Sequence, residues 1–254
     1  MRFQDKVAIV TGGTSGIGKE VATRFVAEGG SVIINGRNGA KAEAAARDIG
    51  KNVAVHVGDV AALTTGRELV SLANARFGRI DVLFNNAGIF APKSFLDVEE
   101  AEYDRFQDAI LKGSFFTAQA VARAMREAGK GGAIVQTGSM WALQAIGATP
   151  SSAYSVAKAG THALVKNLAI ELAPHNIRVN GIAPAVIETP VYDTFLTPEQ
   201  VKAVLPTFNA MHPLNRNGSA ADAAEALLFL ASDQAAFITG VVLPVDGGVM
   251  AGRQ

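Results

Sequence analysis

Short runs rich in β-branched residues alternate along the whole chain with longer, alanine-rich segments of helical period. Parallel strands need a crossover between each pair, and a helix on each crossover covers the faces of the sheet. Strands are predicted at residues 7–10, 32–34, 53–57, 82–84, 134–136, 179–182 and 241–243, and helices at 17–28, 40–49, 63–77, 99–127, 153–172 and 220–230. The expected architecture is α/β, with one doubly wound, mostly parallel sheet of seven strands and helices on both faces. No Pro/Ser-rich linker or internal repeat interrupts the rhythm, so residues 1–254 are read as a single domain. Only residues 188–218 break it, with Pro190, Pro198, Pro206 and Pro213, and this stretch is expected to form a lid over a substrate.

A buried two-faced sheet needs apolar material, and 49% hydrophobic against 18% charged residues supplies it. Lys+Arg and Asp+Glu both total 23, so no net field draws in nucleic acid or an anionic membrane, and neither is an expected partner. The absence of cysteine excludes disulfides, thiolate metal sites and thiol nucleophiles. His56, His162, His175 and His212 are too scattered to suggest a metal site, and none is expected. Asp5 and Lys6 interrupt what would be the apolar part of a signal peptide. The apolar runs fall short of the roughly 18 residues that span a bilayer, so a cytoplasmic protein is expected.

Directly after the first predicted strand comes Thr11-Gly12-Gly13-Thr14-Ser15-Gly16-Ile17-Gly18, opening into the first helix. Glycines allow close backbone approach to a diphosphate, and the helix N-terminus offers free N–H groups and the positive end of its dipole. Alone, such a turn is also an ordinary strand-to-helix loop. Between a strand and a helix it points to a Rossmann-type nucleotide site. The TGxxxGxG spacing resembles that of the short-chain dehydrogenase/reductase family. Further segments are similar to that family in the same order: Gly58-Asp59-Val60, Asn85-Asn86-Ala87-Gly88, Asn180-Gly181-Ile182-Ala183-Pro184 followed by Ile187 and Thr189, and Asp246-Gly247-Gly248. The resemblance runs from Val7 to Gly248. It implies that Gly12, Thr14, Ser15, Gly16, Ile17 and Gly18 cradle the cofactor diphosphate. It also implies adenosine-side contacts from Asp59, Val60, Asn86, Ala87 and Gly88, and nicotinamide-side contacts from Pro184, Ile187 and Thr189.

An NAD site usually places a carboxylate about 20 residues past the glycines for the ribose 2′-hydroxyl, whereas a 2′-phosphate needs a cation. By resemblance the acidic position here is Gly36, and Arg37 follows it. A guanidinium holds a phosphate bidentately, so NADP(H) is the expected cofactor. The alternative is an arginine simply solvated at a strand end.

Tyr154 and Lys158 stand at i and i+4 on a predicted helix and therefore share a face. A free phenol, with a pKa of about 10, is a poor acid–base group at neutral pH. An adjacent ammonium is expected to lower that pKa and make Tyr154 the general acid in reduction and base in oxidation. As a bare motif the pair is weak. Ser139, 15 residues before Tyr154, stands where the resemblance places a serine that orients the substrate oxygen, and Lys158 would also hold the nicotinamide ribose. Two positions depart from the family: Ile110 replaces an asparagine that binds a relay water, and Ala185 replaces the glycine after Pro184.

By resemblance Phe90, Met140, Trp141, Val191, Tyr192 and Phe195 line the pocket, which suits a small to medium, largely apolar carbonyl compound or secondary alcohol. Arg123, Arg126 and Lys130 read either as an acyl-carrier-protein dock, as in the family's 3-oxoacyl-carrier-protein reductases, or as a solvated helix end. Ala157, Ala159, Gly160 and Ala163 would allow close helix approach, and the resemblance implies a homotetramer. Three kinds of function stay open: a reductase or dehydrogenase, a redox-neutral dehydratase or epimerase on the same fold, and a dinucleotide-binding regulatory protein with little turnover.

Overall fold

The computed structural model describes residues 1–252. Seven parallel strands form one sheet in the order β3-β2-β1-β4-β5-β6-β9. They are β1 (Val7–Val10), β2 (Ser31–Gly36), β3 (Val53–Val57), β4 (Val82–Asn85), β5 (Gly132–Thr137), β6 (Ile177–Pro184) and β9 (Val242–Val245). The helices between them are α1 (Gly16–Ala27), α2 (Gly39–Ile49), α3 (Thr65–Phe77), α4 (Glu100–Phe106), α5 (Gly113–Ala128), α6 (Ser152–Leu172), α7 (Pro198–Val204) and α8 (Ala220–Ala231). The order reverses between β1 and β4, which opens a crevice beyond their C-terminal ends, the usual place for a dinucleotide in such a sheet.

Alternation along each strand builds the two halves of the core. Val10, Ile34, Phe84 and Val135 pack with Val21, Phe25 and Leu227 of α1 and α8, while Ile9, Ile33, Leu83 and Ile134 pack with Leu69, Val121 and Met125 of α3 and α5. Every residue of β1 and β4 is buried, so these central strands read as apolar runs, Val7–Val10 and Val82–Phe84, with the buried Asn85 ending β4. Local signals end the helices: Asn38 caps α2 by accepting the Lys41 N–H, Ser219 and Asp222 form a capping box on α8, and Gly78 and Gly129 close α3 and α5 with positive φ.

Several expected boundaries move. The predicted helix 99–127 is interrupted by a π-helical segment, Gln107–Lys112, between α4 and α5. Its i→i+5 bonding shifts the side-chain register within a stretch of only six residues, too short for the sequence pattern to reveal. The last strand runs to Val245 through Pro244, because it lies at the sheet edge and pairs on one side, with β6. Residues 188–218 do leave the sheet, and the model adds two features there. Strand β7 (Ile187–Glu188) pairs in parallel with β8 (Gly218–Ser219), joining the two ends of the excursion. Helix α7 lies within it, started by Pro198 and a Thr197–Gln200 capping box. Among the described residues, no helix is long and apolar enough to cross a membrane.

Candidate active site

The glycine turn is tied to the start of the loop after β4. Thr11 Oγ1 accepts the N–H groups of Asn86 and Ala87, each at 3.0 Å, and Asn86 Nδ2 donates to the Thr11 carbonyl at 3.3 Å. Thr137 Oγ1 donates to Asn86 Oδ1 at 3.2 Å, which links this corner to the end of β5. Asn86 therefore serves as a brace for the turn. A Cβ at Gly18 would lie 2.3 Å from the Gly12 carbonyl oxygen, so only glycine lets α1 begin this close to the loop. Ser15, the N-cap of α1, is exposed and makes no side-chain capping bond. Its hydroxyl and the first N–H groups of α1 form a donor set suited to a diphosphate.

Arg37 and Asp59 meet at the outer end of the crevice, with Arg37 Nη1 3.9 Å from Asp59 Oδ2 and Arg37 69% exposed. Asp59 also accepts the Ala61 N–H at 3.0 Å. Val60 lies against Gly113, and Thr189 rests on Gly16. The Ile187 side chain is buried in the core with residues of α8. Pro184 ends β6 and is buried.

At the centre of the crevice, Ser139 follows β5 while Tyr154 and Lys158 sit on the first two turns of α6. Lys158 Nζ donates to the Thr137 carbonyl at 2.6 Å and lies 5.8 Å from the centroid of the Tyr154 ring. Ser139 Oγ accepts the Trp141 N–H at 3.2 Å. The three side chains that the sequence singles out thus stand together. The expected direction of the Tyr154 shift, however, is reversed. Burial pushes the phenol up to about 12, against a smaller lowering by its hydrogen bond with Ser139, and burial pushes Lys158 down to about 8. Desolvation outweighs the i, i+4 pairing because both groups are enclosed.

The enclosure is aromatic. Phe90 stands edge-on to Tyr154 with centroids 4.9 Å apart, lies 6.2 Å from Trp141, and meets Phe195 of the 188–218 excursion at 5.6 Å. Tyr192 is 6.0 Å from Phe195, and its phenol is shifted upward by burial and by Tyr154. Met140 is fully buried with Ala185, Val186 and Leu205, so it packs beneath the cleft instead of lining it. Val191 is half-buried where the excursion begins. A cavity beside Arg2, Asp81 and Arg178 opens at the opposite end of the sheet, remote from these groups.

The family model described as Enoyl-(Acyl carrier protein) reductase matches residues 12–250. The chain is 37% identical to an L-rhamnose 1-dehydrogenase (NAD(P)(+)) of Azotobacter vinelandii over the full length of both, and 35% identical to the levodione reductase of Leifsonia aquatica over 97% of this chain and 95% of that one. The crystal structure of a short-chain type dehydrogenase/reductase from Mycobacterium marinum superposes with a TM-score of 0.92 at 32% identity, covering 98% of this chain and 97% of the other. The chain belongs to the short-chain dehydrogenase/reductase family.

Within that family of oxidoreductases, Ile110 stands where the resemblance implies an asparagine. The residue is 1% exposed, lies in the π-helical segment, and packs with Phe106, Ala153, Ala157 and Tyr154. An asparagine there would bury an amide among apolar neighbours, at a cost of about 1–3 kcal/mol unless water meets it. Ile110→Asn is therefore expected to lower thermal stability while changing kcat by less than about tenfold, a barrier change of about 1.4 kcal/mol. Thermal unfolding alongside steady-state kinetics checks both halves. Two further features of this short-chain dehydrogenase/reductase bear on the site and carry no motif signal: the Thr14 side chain, within the glycine turn, covers Gly36, and His162 lies behind Ser139.

Proposed function

We propose that this chain is an NADP(H)-dependent reductase or dehydrogenase that interconverts a ketone or aldehyde and its alcohol. The observation that carries the reading is the grouping of Ser139, Tyr154 and Lys158 at the switch-point crevice. Bound NADP(H) supplies or takes up the hydride at the carbonyl carbon. The Ser139 hydroxyl orients the carbonyl oxygen, and Tyr154 Oη gives that oxygen its proton. With its pKa near 12, Tyr154 is protonated across the neutral range, so it carries the proton that the reduction step requires. Lys158 is held by Thr137 below the phenol, where its charge stabilises the phenolate left after proton transfer. The test is absorbance at 340 nm: consumption of NADPH with a panel of carbonyl compounds supports a reductase, binding without consumption supports a regulatory protein, and product formed without net consumption supports a redox-neutral enzyme.

The cofactor assignment rests on the residues at the end of β2. Arg37 is 69% exposed and only loosely paired with Asp59, so it can turn to a 2′-phosphate, and Gly36 has no room for a carboxylate: a Cβ there would lie 2.4 Å from Thr14 Cγ2. Arg37→Ala is expected to raise the KM for NADPH about tenfold, the loss of one charge-assisted contact of about 1.5 kcal/mol, while leaving NADH nearly unchanged. Equal losses for both cofactors would refute the assignment. Converting the site to NAD requires a third change, because Gly36→Asp with Arg37→Ala collides with Thr14. The triple variant that adds Thr14→Ala should gain on NADH where the double variant does not, as the kcat/KM ratio for the two cofactors will report.

The aromatic wall of Phe90, Trp141, Tyr192 and Phe195 supports a compact, largely apolar substrate. The relatives named for L-rhamnose and levodione support small molecules generally. Assembly is proposed through α5 and α6, where Phe115, Phe116, Val156 and Ile170 are exposed. Light scattering is expected to give a homotetramer.

A further inference from the structure

His162 lies on α6, one turn beyond Lys158 and two beyond Tyr154, and is 7% exposed. Its Nε2 accepts the backbone N–H of Ser139 at 3.2 Å. The loop is laid directly against the ring, since a Cβ at Gly138 would stand 2.1 Å from Nε2. The preceding amide, Gly138 N–H, donates to the Ile182 carbonyl at 2.8 Å, and the Ala142 N–H donates to the Ser139 carbonyl at 3.1 Å. Ser139 is thus clamped between β6 on one side and the catalytic helix on the other. Because its Oγ accepts from Trp141, the hydroxyl proton is left to point at an acceptor in the cleft.

With Nε2 acting as acceptor, the ring proton sits on Nδ1, which is buried without a hydrogen-bond partner among the described residues. A buried, unpaired N–H is costly, and an apolar side chain of similar size would avoid it. The imidazole is retained at the one place where it meets the Ser139 amide. We propose that His162 is a positioning residue, which fixes the Ser139 backbone through Nε2 and so aims the Ser139 hydroxyl at the reacting oxygen. This rests on the roles assigned above to Ser139 and Tyr154. Burial first, then the charges of Lys158 and Lys166, hold the His162 pKa down to about 4, so the ring remains a neutral acceptor through the working range.

The test compares His162→Leu, which removes the acceptor, with His162→Gln, whose amide oxygen can replace it, in the full chain with NADPH and a carbonyl compound that the wild type reduces. His162→Leu is expected to lower kcat by roughly 10- to 100-fold, as for a catalytic group displaced by about an ångström. Its Tm and its KM for NADPH should stay close to wild type, because one unpaired buried donor, Nδ1–H, is exchanged for another, Ser139 N–H. His162→Gln should recover most of the turnover. A leucine variant within about twofold of wild-type kcat overturns the proposal, as does a glutamine variant that loses kcat with normal Tm and normal KM for NADPH. If the leucine variant does not fold, the glutamine variant decides alone on those same readouts. Ser139→Ala and Tyr154→Phe run in parallel separate the two levels: normal turnover in both sinks the catalytic assignment itself, whereas their loss with an unaffected His162→Leu sinks only the positioning role.

Discussion

Tyr154→Phe is expected to fold, to bind NADPH as the wild type does, and to lose about 10²–10⁴-fold in kcat, the range for removal of a general acid or base. The substitution deletes one oxygen. The ring stays against Phe90 and Phe106, whose centroids lie 4.9 and 6.3 Å from its own, so packing is preserved. The half-buried phenol has Ser139 as its partner, so its removal costs one hydrogen bond and no packing, and Tm should stay close to wild type. Rapid-mixing measurement of NADPH consumption against equilibrium binding of NADPH distinguishes lost chemistry from lost affinity, and a variant with near-normal turnover would exclude Tyr154 from proton transfer.

Lys158→Met should abolish most turnover, raise the KM for NADPH, and make the protein more stable at pH 7. Lys158 is 4% exposed, and burial lowers its pKa from 10.5 to about 8. At about 1.4 kcal/mol per unit, holding the charged form inside costs on the order of 3 kcal/mol below pH 8. The sign follows from proton counts. Between about pH 8 and 10.5 the unfolded chain carries a proton that the folded chain lacks, so wild-type stability rises with pH across that window and the penalty is gone above it. The methionine variant should therefore exceed the wild type in Tm by several degrees at pH 7, offset in part by the Thr137 carbonyl left without its donor, and by less at pH 10. Thermal scans at the two pH values check this, and a Tm advantage that grows with pH would contradict it. Gain of stability with loss of function marks a charge kept for chemistry.

What could be read before any coordinates follows from how local each signal is. Strands β1 and β4 are buried on both faces, and an unbroken apolar run betrays such a strand in any chain. Tyr154 and Lys158 needed only helical spacing to be placed on one face. Cases decided by distant neighbours were not legible. The π-helical segment at Gln107–Lys112 has no proline or glycine to announce it, and Pro244 looks like a strand terminator until β9 proves to be an edge. The direction of the Tyr154 shift depended on how completely Phe90, Trp141 and the 188–218 excursion shut out water, which no spacing encodes. The cover that Thr14 gives Gly36, and His162 itself, belong to the same class. Thr14 stands over Gly36 and His162 behind Gly138, and the signal that could have found them was a glycine at each facing position.

The short β7–β8 ladder has an implication for how chains of this kind diversify. Because Ile187–Glu188 and Gly218–Ser219 are hydrogen-bonded to each other, the excursion between them begins and ends at one point on the scaffold. Loop closure grows only slowly with length, about 0.6 kcal/mol for each doubling, so the segment can lengthen, shorten or be replaced at little energetic cost. Tyr192 and Phe195 reside inside it, whereas Ser139, Tyr154 and Lys158 lie outside. Part of the pocket wall is thus housed in an exchangeable cassette and the reaction machinery in the fixed frame, so grafting another sequence between the two anchor points would reshape the pocket and, by changing how far water is shut out, shift the Tyr154 pKa as well.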